Sequence, residues 1–197
     1  PRKGLEALIR LTGIDKSHLS IDDIVFKIGP RINAAGRMES GRIAVELLTA
    51  TDEETANRIG SEINRHNNER KDIDRKTTQE AIAMVESGKV LKGLDDISLK
   101  HTTIVYNPDW HKGVVGIVAS RLVEYFYRPT VVFTRSKDFV TGSARSVHGF
   151  DIYAAIESCS DLLENFGGHI YAAGLTLREE NLPEFCRRMD EKVSKTI

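Results

Sequence analysis

Hydrophobic positions in this chain change their period from one segment to the next, and each change predicts an element. Leu5, Leu8, Ile9 and Leu11 fall near helical spacing, and Ser20 to Asp23 offers turn and cap chemistry before the apolar pair Val25-Phe26. Gly29 to Arg37 holds two glycines, a proline and two arginines, a mixture predicted to be neither strand nor helix interior. Ile43, Val45, Leu47 and Leu48 then predict a second short helix. Thr51-Asp52-Glu53-Glu54 reads as a capping box, with Glu54 three residues after Thr51. It opens a helix predicted over 52–88, in which only Gly60 interrupts before Gly88. Ala56, Ile59 and Ile63 share one face and Ala81, Ile82, Met84 and Val85 form a late patch, whereas Asn64 to Asp72 is polar all round. A helix polar on every face usually bridges domains through solvent, so two lobes are expected, separated by roughly 50 Å at ~1.5 Å per residue.

Beyond Gly93 the pattern alternates. His101 to Tyr106 predicts a strand, and Gly113 to Phe126 a helix with Val115, Val118, Leu122 and Tyr125 inward, broken by Arg128-Pro129. Thr130 to Thr134 is a β-branched strand that Phe139 to Ser146 can pair across the turn Ser136-Lys137-Asp138. Asp151 to Phe166 predicts one amphipathic helix, Gly174 to Leu177 a short strand, and Asn181 the cap of a last helix carrying Phe185, Met189 and Val193. The fold class is therefore α/β: a long connecting helix, then a domain with a mixed β-sheet flanked by helices.

Composition alters this picture little. Hydrophobic residues make up 40% of 197 and charged residues 29%, and the formal net charge of −1 supplies no overall positive field. A phosphate site must come from local clustering. Cys159 and Cys186 lie outside any CxxC or Cys/His spacing and read as buried thiols in a reducing cytosol. There is no signal segment and no apolar run of membrane-spanning length. Opening at Pro1 without an initiator Met suggests a piece of a longer protein.

Four places set glycine beside a polar or basic side chain. Arg31 to Arg37 offers two guanidinium forks, although a Gly/Pro turn with surface arginines reads as well. Gly142-Ser143-Ala144-Arg145-Ser146 combines hydroxyls, a fork and backbone amides where a strand runs out, which suits a terminal phosphate. A glycine-bulged strand end is the structural alternative. Gly167-Gly168-His169, followed by Ala172-Ala173-Gly174, places a histidine at a tight turn, either a phosphate donor or a helix-ending cap. Trp110-His111-Lys112-Gly113 opens a helix whose amides can receive an anion, or simply pack closely through Gly113 and Gly116. Converging carboxylates and histidines are missing: there is no DHH, HxD or HxxxH, and the pairs Asp22-Asp23 and Asp95-Asp96 read as loop carboxylates.

In this order the elements resemble the RecJ family of the DHH phosphoesterase superfamily. FKIGPRINAAGRM at 26–38 is similar to the family's NAAGR motif, and the helix with Asn67, Glu69, Arg70 and Lys71 to its connecting helix. WHKGVVGIVASR at 110–121, GSARS at 142–146 and GGHIYAAG at 167–174 resemble the DHH-associated domain, so the likeness runs from about residue 4 to 180. GGHxxAAG alone also marks nanoRNases and cyclic-dinucleotide phosphodiesterases; the combination with NAAGR and GSARS is more specific.

The resemblance implies three parts: residues 1–50 as the tail of a DHH domain, 51–92 as the interdomain helix, and 93–197 as the nucleic-acid-binding domain. It implies the substrate-binding portion of a cytoplasmic 5′→3′ single-strand DNA exonuclease of repair and recombination. Mn2+ or Mg2+ would sit in a DHH domain of the same polypeptide, with no metal on this chain, which would be inactive alone. Arg37, Gly142, Ser143, Arg145, Ser146, Gly167, Gly168 and His169 would contact DNA, with Ser143 and Arg145 on the 5′-phosphate and His169 assisting at the scissile phosphate. Expected partners are 5′-phosphorylated single-stranded DNA and a single-strand-binding protein, with a monomeric state and no membrane. The alternatives are an oligonucleotide or cyclic-dinucleotide phosphodiesterase of the superfamily, and a non-catalytic binding module.

Overall fold

Capped short helices open the chain, and the computed structural model describes residues 2–94 and 97–196. Asp95-Asp96 lies outside the described residues. Helix α1 (Lys3–Thr12) ends at Gly13 in the left-handed region. Ser20 and Asp23 form a true capping box over α2 (Ile21–Asp23), so the pair Asp22-Asp23 is helical rather than loop. Lys27 and Ser20 pull the Asp23 carboxyl down to about 2. A π-helical turn, Ile24–Ile28, leads into α3 (Gly29–Met38).

That helix corrects the expectation that Gly29 to Arg37 resists regular structure. Pro30 falls in the first turn, where its missing N–H costs nothing, and Ala34 and Ala35 are buried. After α4 (Arg42–Thr49), the chain enters α5 (Glu53–Ser87), one unbroken helix of 35 residues. Its cap is Asp52, whose Oδ1 accepts from the Thr55 N–H at 2.8 Å, one residue later than the predicted box.

The chain divides into two compact units, one ending at Ile73 and the other beginning at Asp74, within α5. In the first, Ala7, Leu8, Ile28, Ala35, Leu47, Ala56, Ile59 and Ile63 share one core. Along α5 the buried stripe does not stop where the apolar residues do. It runs through His66 and Asn67 and resumes at Asp74, Thr77, Thr78 and Ala81. The stretch 64–72 therefore has a buried face, which overturns its reading as polar and solvated all round. Helical spacing, not hydrophobicity, decides which side chains turn inward.

The second unit is a five-stranded mixed sheet in the order β1-β2-β3-β5-β4. Its strands are β1 (Thr103–Tyr106), β2 (Thr130–Ser136), β3 (Phe139–Arg145), β4 (Leu163–His169) and β5 (Ala172–Leu177). β1 and β2 are parallel and the other pairs antiparallel. Helix α6 (Val115–Phe126) lies between β1 and β2, with Val115, Val118 and Leu122 buried. Tyr125, expected inward, is exposed. Helices α7 (Ile152–Glu157) and α8 (Leu182–Ser194) cover the opposite face, where Phe185 meets Phe133 and Tyr153 meets Phe166.

The predicted helix over Asp151 to Phe166 is the largest correction. Only Ile152–Glu157 is α-helical; a 3-10 turn follows, and Leu163 to Phe166 belongs to β4. Phe166 sits opposite Leu175, so the sheet claims it. Asn181 precedes α8 without a side-chain cap, and its Nδ2 donates to the Leu162 carbonyl at 3.1 Å. Cys159 and Cys186 are buried thiols, each pushed up by burial. No helix among the described residues is long and apolar enough to cross a membrane.

Candidate nucleic-acid interface

Strand alternation decides which side chains share a face, and register decides which ones meet across it. On β3, Thr141, Ser143 and Arg145 point one way, while Gly142 and Ala144 point the other. Pairing carries those three across β5 to β4 in three rows. Arg145 lies opposite Ala172, itself opposite His169; Ser143 aligns with Gly174 and Gly167; Thr141 aligns with Thr176 and Asn165. With strands about 4.8 Å apart, Arg145 and His169 stand roughly 10 Å from each other. The middle row carries no side chain beyond Ser143. It floors a groove of about 280 Å³ that runs over Thr141, Asn165, Gly167, Gly174 and Thr176.

Helix α6 flanks this face at Gly116, where a Cβ would lie 3.0 Å from the Ser143 Oγ and 3.1 Å from an Arg145 nitrogen. Arg145 Nη1 donates to the Ser143 Oγ at 3.0 Å and to the Ala144 carbonyl at 2.7 Å, so the fork and the hydroxyl are held together. Helix α6 starts at Val115, and the Gly113 N–H already donates to His111 Nδ1 at 3.1 Å. Trp110 is buried, with its indole N–H donating to Glu80 Oε2 at 2.8 Å.

His169 ends β4 rather than following a helix. Gly168 has φ of +152°, and a Cβ there would lie 2.3 Å from the Ala172 carbonyl oxygen, so only glycine fits. The Tyr171 backbone N–H donates to His169 Nδ1 at 3.3 Å. That bond places the neutral ring's proton on Nε2, a donor for an incoming oxygen.

The structure thus brings Ser143, Arg145, Gly167, Gly168 and His169 onto one sheet. A side chain at Gly142 would point to the other face, where a Cβ would press on the Phe133 ring at 2.5 Å, while its backbone lines the groove beside Thr141. Ser146 donates its hydroxyl to the Phe150 carbonyl at 2.6 Å and its N–H to the Tyr171 carbonyl at 3.0 Å, which fastens the end of β3 to the β4–β5 turn. Arg37 lies exposed on α3 in the first unit.

Sequence reasoning missed two groupings. One is the row Thr141, Thr176 and Asn165, whose signal was the strand period itself. The other is Glu39, Glu62 and His66, whose ligand atoms lie within 4.8 Å of one another, signalled by the i,i+4 spacing of Glu62 and His66 on α5. A cation fits poorly there: Arg65 Nη2 stands 3.2 Å from His66 Nε2, the nitrogen that also faces Glu39 at 3.5 Å. Two carboxylates and a histidine also fall short of the two-metal centre that phosphodiester hydrolysis commonly uses.

Known proteins resemble this chain in both sequence and fold. A family model described as the DHHA1 domain matches residues 97–195. Over 198 residues the chain is 40% identical to the single-stranded-DNA-specific exonuclease RecJ of Bacillus subtilis (strain 168), covering 100% of this chain and 24% of that protein. The protein of the same name from Salmonella typhimurium (strain LT2) is 36% identical, over 100% of this chain and 34% of its own. The crystal structure of RecJ in complex with Mg2+ from Thermus thermophilus superposes with a TM-score of 0.83 at 27% identity, covering 98% of this chain and 28% of that one. The chain spans between 24% and 34% of the length of these two curated relatives.

Proposed function

Since the chain belongs to the DHHA1 domain family, we propose that it is the DNA-gripping portion of a RecJ-like 5′→3′ exonuclease specific for single strands. The observation that carries this reading is the row register, which sets the Ser143–Arg145 pair and the Nε2 donor of His169 on one polar, glycine-floored face. A terminal phosphate needs several donors at once. The Arg145 fork, the Ser143 hydroxyl and nearby backbone amides offer them. His169 donates to a phosphate nearer the bond that breaks, and Arg37 contributes a further phosphate contact from the first unit. A floor without side chains lets a backbone pass close to the sheet.

Mn2+ or Mg2+, held by a DHH domain of the same polypeptide, would generate the attacking hydroxide. The residues of this chain bind and align the strand, and His169 holds its proton toward the phosphate. This reading places the enzyme in the cytoplasm, acting as a monomer in repair and recombination beside a single-strand-binding protein.

The test compares the full-length polypeptide with this chain alone on 5′-phosphorylated single strands, duplexes, dinucleotides and cyclic dinucleotides, in Mn2+ and in Mg2+. The expected result is turnover of long single strands by the full-length polypeptide only. Preference for dinucleotides would point to an oligonucleotide phosphodiesterase, and robust turnover by the purified chain would overturn the assignment of roles.

A further inference from the structure

Ile170 and Tyr171 form the two-residue turn between β4 and β5, and their side chains are 46% and 55% exposed. The turn is nonetheless tied down at three backbone points. The Tyr171 N–H donates to His169 Nδ1, its carbonyl accepts from the Ser146 N–H at 3.0 Å, and the Ile170 carbonyl accepts from the Ile152 N–H at 3.2 Å. The phenol ring stands edge-on to the imidazole, with centroids 6.3 Å apart and planes at 71°. An aromatic ring left open to solvent on a fastened turn, beside a phosphate donor, has the parts of a base-stacking platform.

We propose that Tyr171 stacks on the nucleobase of the nucleotide whose phosphate His169 grips. This rests on the reading of the sheet face as a single-strand surface and adds the contact that seats the base. Every base presents a π face, so stacking holds the strand without selecting sequence. Tyrosine has few side-chain torsions to freeze, and its backbone is anchored before DNA arrives, so stacking costs little ordering. Of the exposed aromatics at the end of α6, Tyr125 directs its hydroxyl toward Glu86, and it is Gly116, at the opposite end of that helix, that meets Ser143 and Arg145.

The test measures binding of a 5′-phosphorylated oligothymidine to the full-length polypeptide, with metal chelated to stop cleavage. Tyr171→Ala should weaken binding about tenfold, and Tyr171→Phe should bind like the wild type. An abasic nucleotide is then placed at each position from the 5′ end. At one position it should weaken the wild type and erase the difference between wild type and Tyr171→Ala. Tyr171→Trp provides an independent signal, since a stacked base quenches it while Trp110 is only 5% exposed. Stacking is overturned if Tyr171→Ala binds normally, or if its defect persists at every abasic position. If the wild type binds no single strand at all, the proposed function fails with it. Binding and cleavage by the wild type with a silent Tyr171→Ala sinks the stacking role alone.

Discussion

Gly116 and Ser143 approach so closely that a methyl group on the glycine would sit 3.0 Å from the serine Oγ. The atoms that must yield are the ends of Ser143 and Arg145, not backbone. Gly116→Ala should therefore keep the fold, with helix propensity adding up to about 1 kcal/mol on α6. It should also push the hydroxyl and the fork out of place. We expect an unchanged or slightly raised melting temperature together with a reduced preference for 5′-phosphorylated over 5′-hydroxyl strands. A variant that keeps full preference would show that the contact relaxes without moving the pair.

Arg145 should govern the end of the strand. A charge-assisted hydrogen bond is worth roughly 1.5–3 kcal/mol, so Arg145→Ala should slow the full-length enzyme about tenfold to a hundredfold on 5′-phosphate strands. Arg145→Lys should rescue little, because an ammonium cannot reproduce the planar fork. Rates on 5′-phosphate and 5′-hydroxyl strands at one fixed salt concentration decide this. Equal slowing on both would make Arg145 a general backbone contact.

His169 should act differently. Its Nε2 donor is proposed to meet a phosphate near the scissile bond, so His169→Ala should slow cleavage whatever the 5′ end carries. His169→Gln can still present an N–H, and it should recover part of the loss. An Ala variant impaired only on phosphorylated strands would move His169 into the end-recognition pocket.

Asp190 holds the entrance to β1. Its carboxylate accepts from the backbone N–H groups of Lys100, His101 and Thr102 and from the Thr102 hydroxyl. Burial pushes its pKa up, but those donors outweigh it and the carboxyl sits below its ordinary value. A depressed carboxyl stabilises the fold above the unfolded value, about 3.9, and that contribution is lost as pH falls through the lower folded value. Asp190→Asn should cost on the order of 2 kcal/mol at neutral pH. Thermal melts of variant and wild type should converge in acid; a constant gap down to pH 3 would mean that the charge is not what matters.

Much of this protein was legible in one dimension. Local signals placed the long helix, the β2–β3 hairpin across Lys137-Asp138 and the core of α6, because each depends on neighbours within a few residues. Motifs such as GSARS and GGHIYAAG supplied the candidate residues without saying how they meet.

Long-range pairing supplied the rest. Phe166 carries a helical period with Ile156 and Leu163, yet it became a strand residue once β5 offered Leu175 as a partner across the sheet. Gly29 to Arg37 looked like a breaker and folded as α3, since its proline falls where a helix tolerates one. His66 and Asn67 read as solvent-facing, but helical spacing carried them into the buried stripe of α5. The sequence by itself determined the long helix, the run from β1 through α6 to the β2–β3 hairpin, and the polar groups available in GSARS and GGHIYAAG. Only the tertiary structure decided that Arg145 and His169 share a row, because strand register is set by partners distant in sequence, and a slip of one residue would turn each to the opposite face.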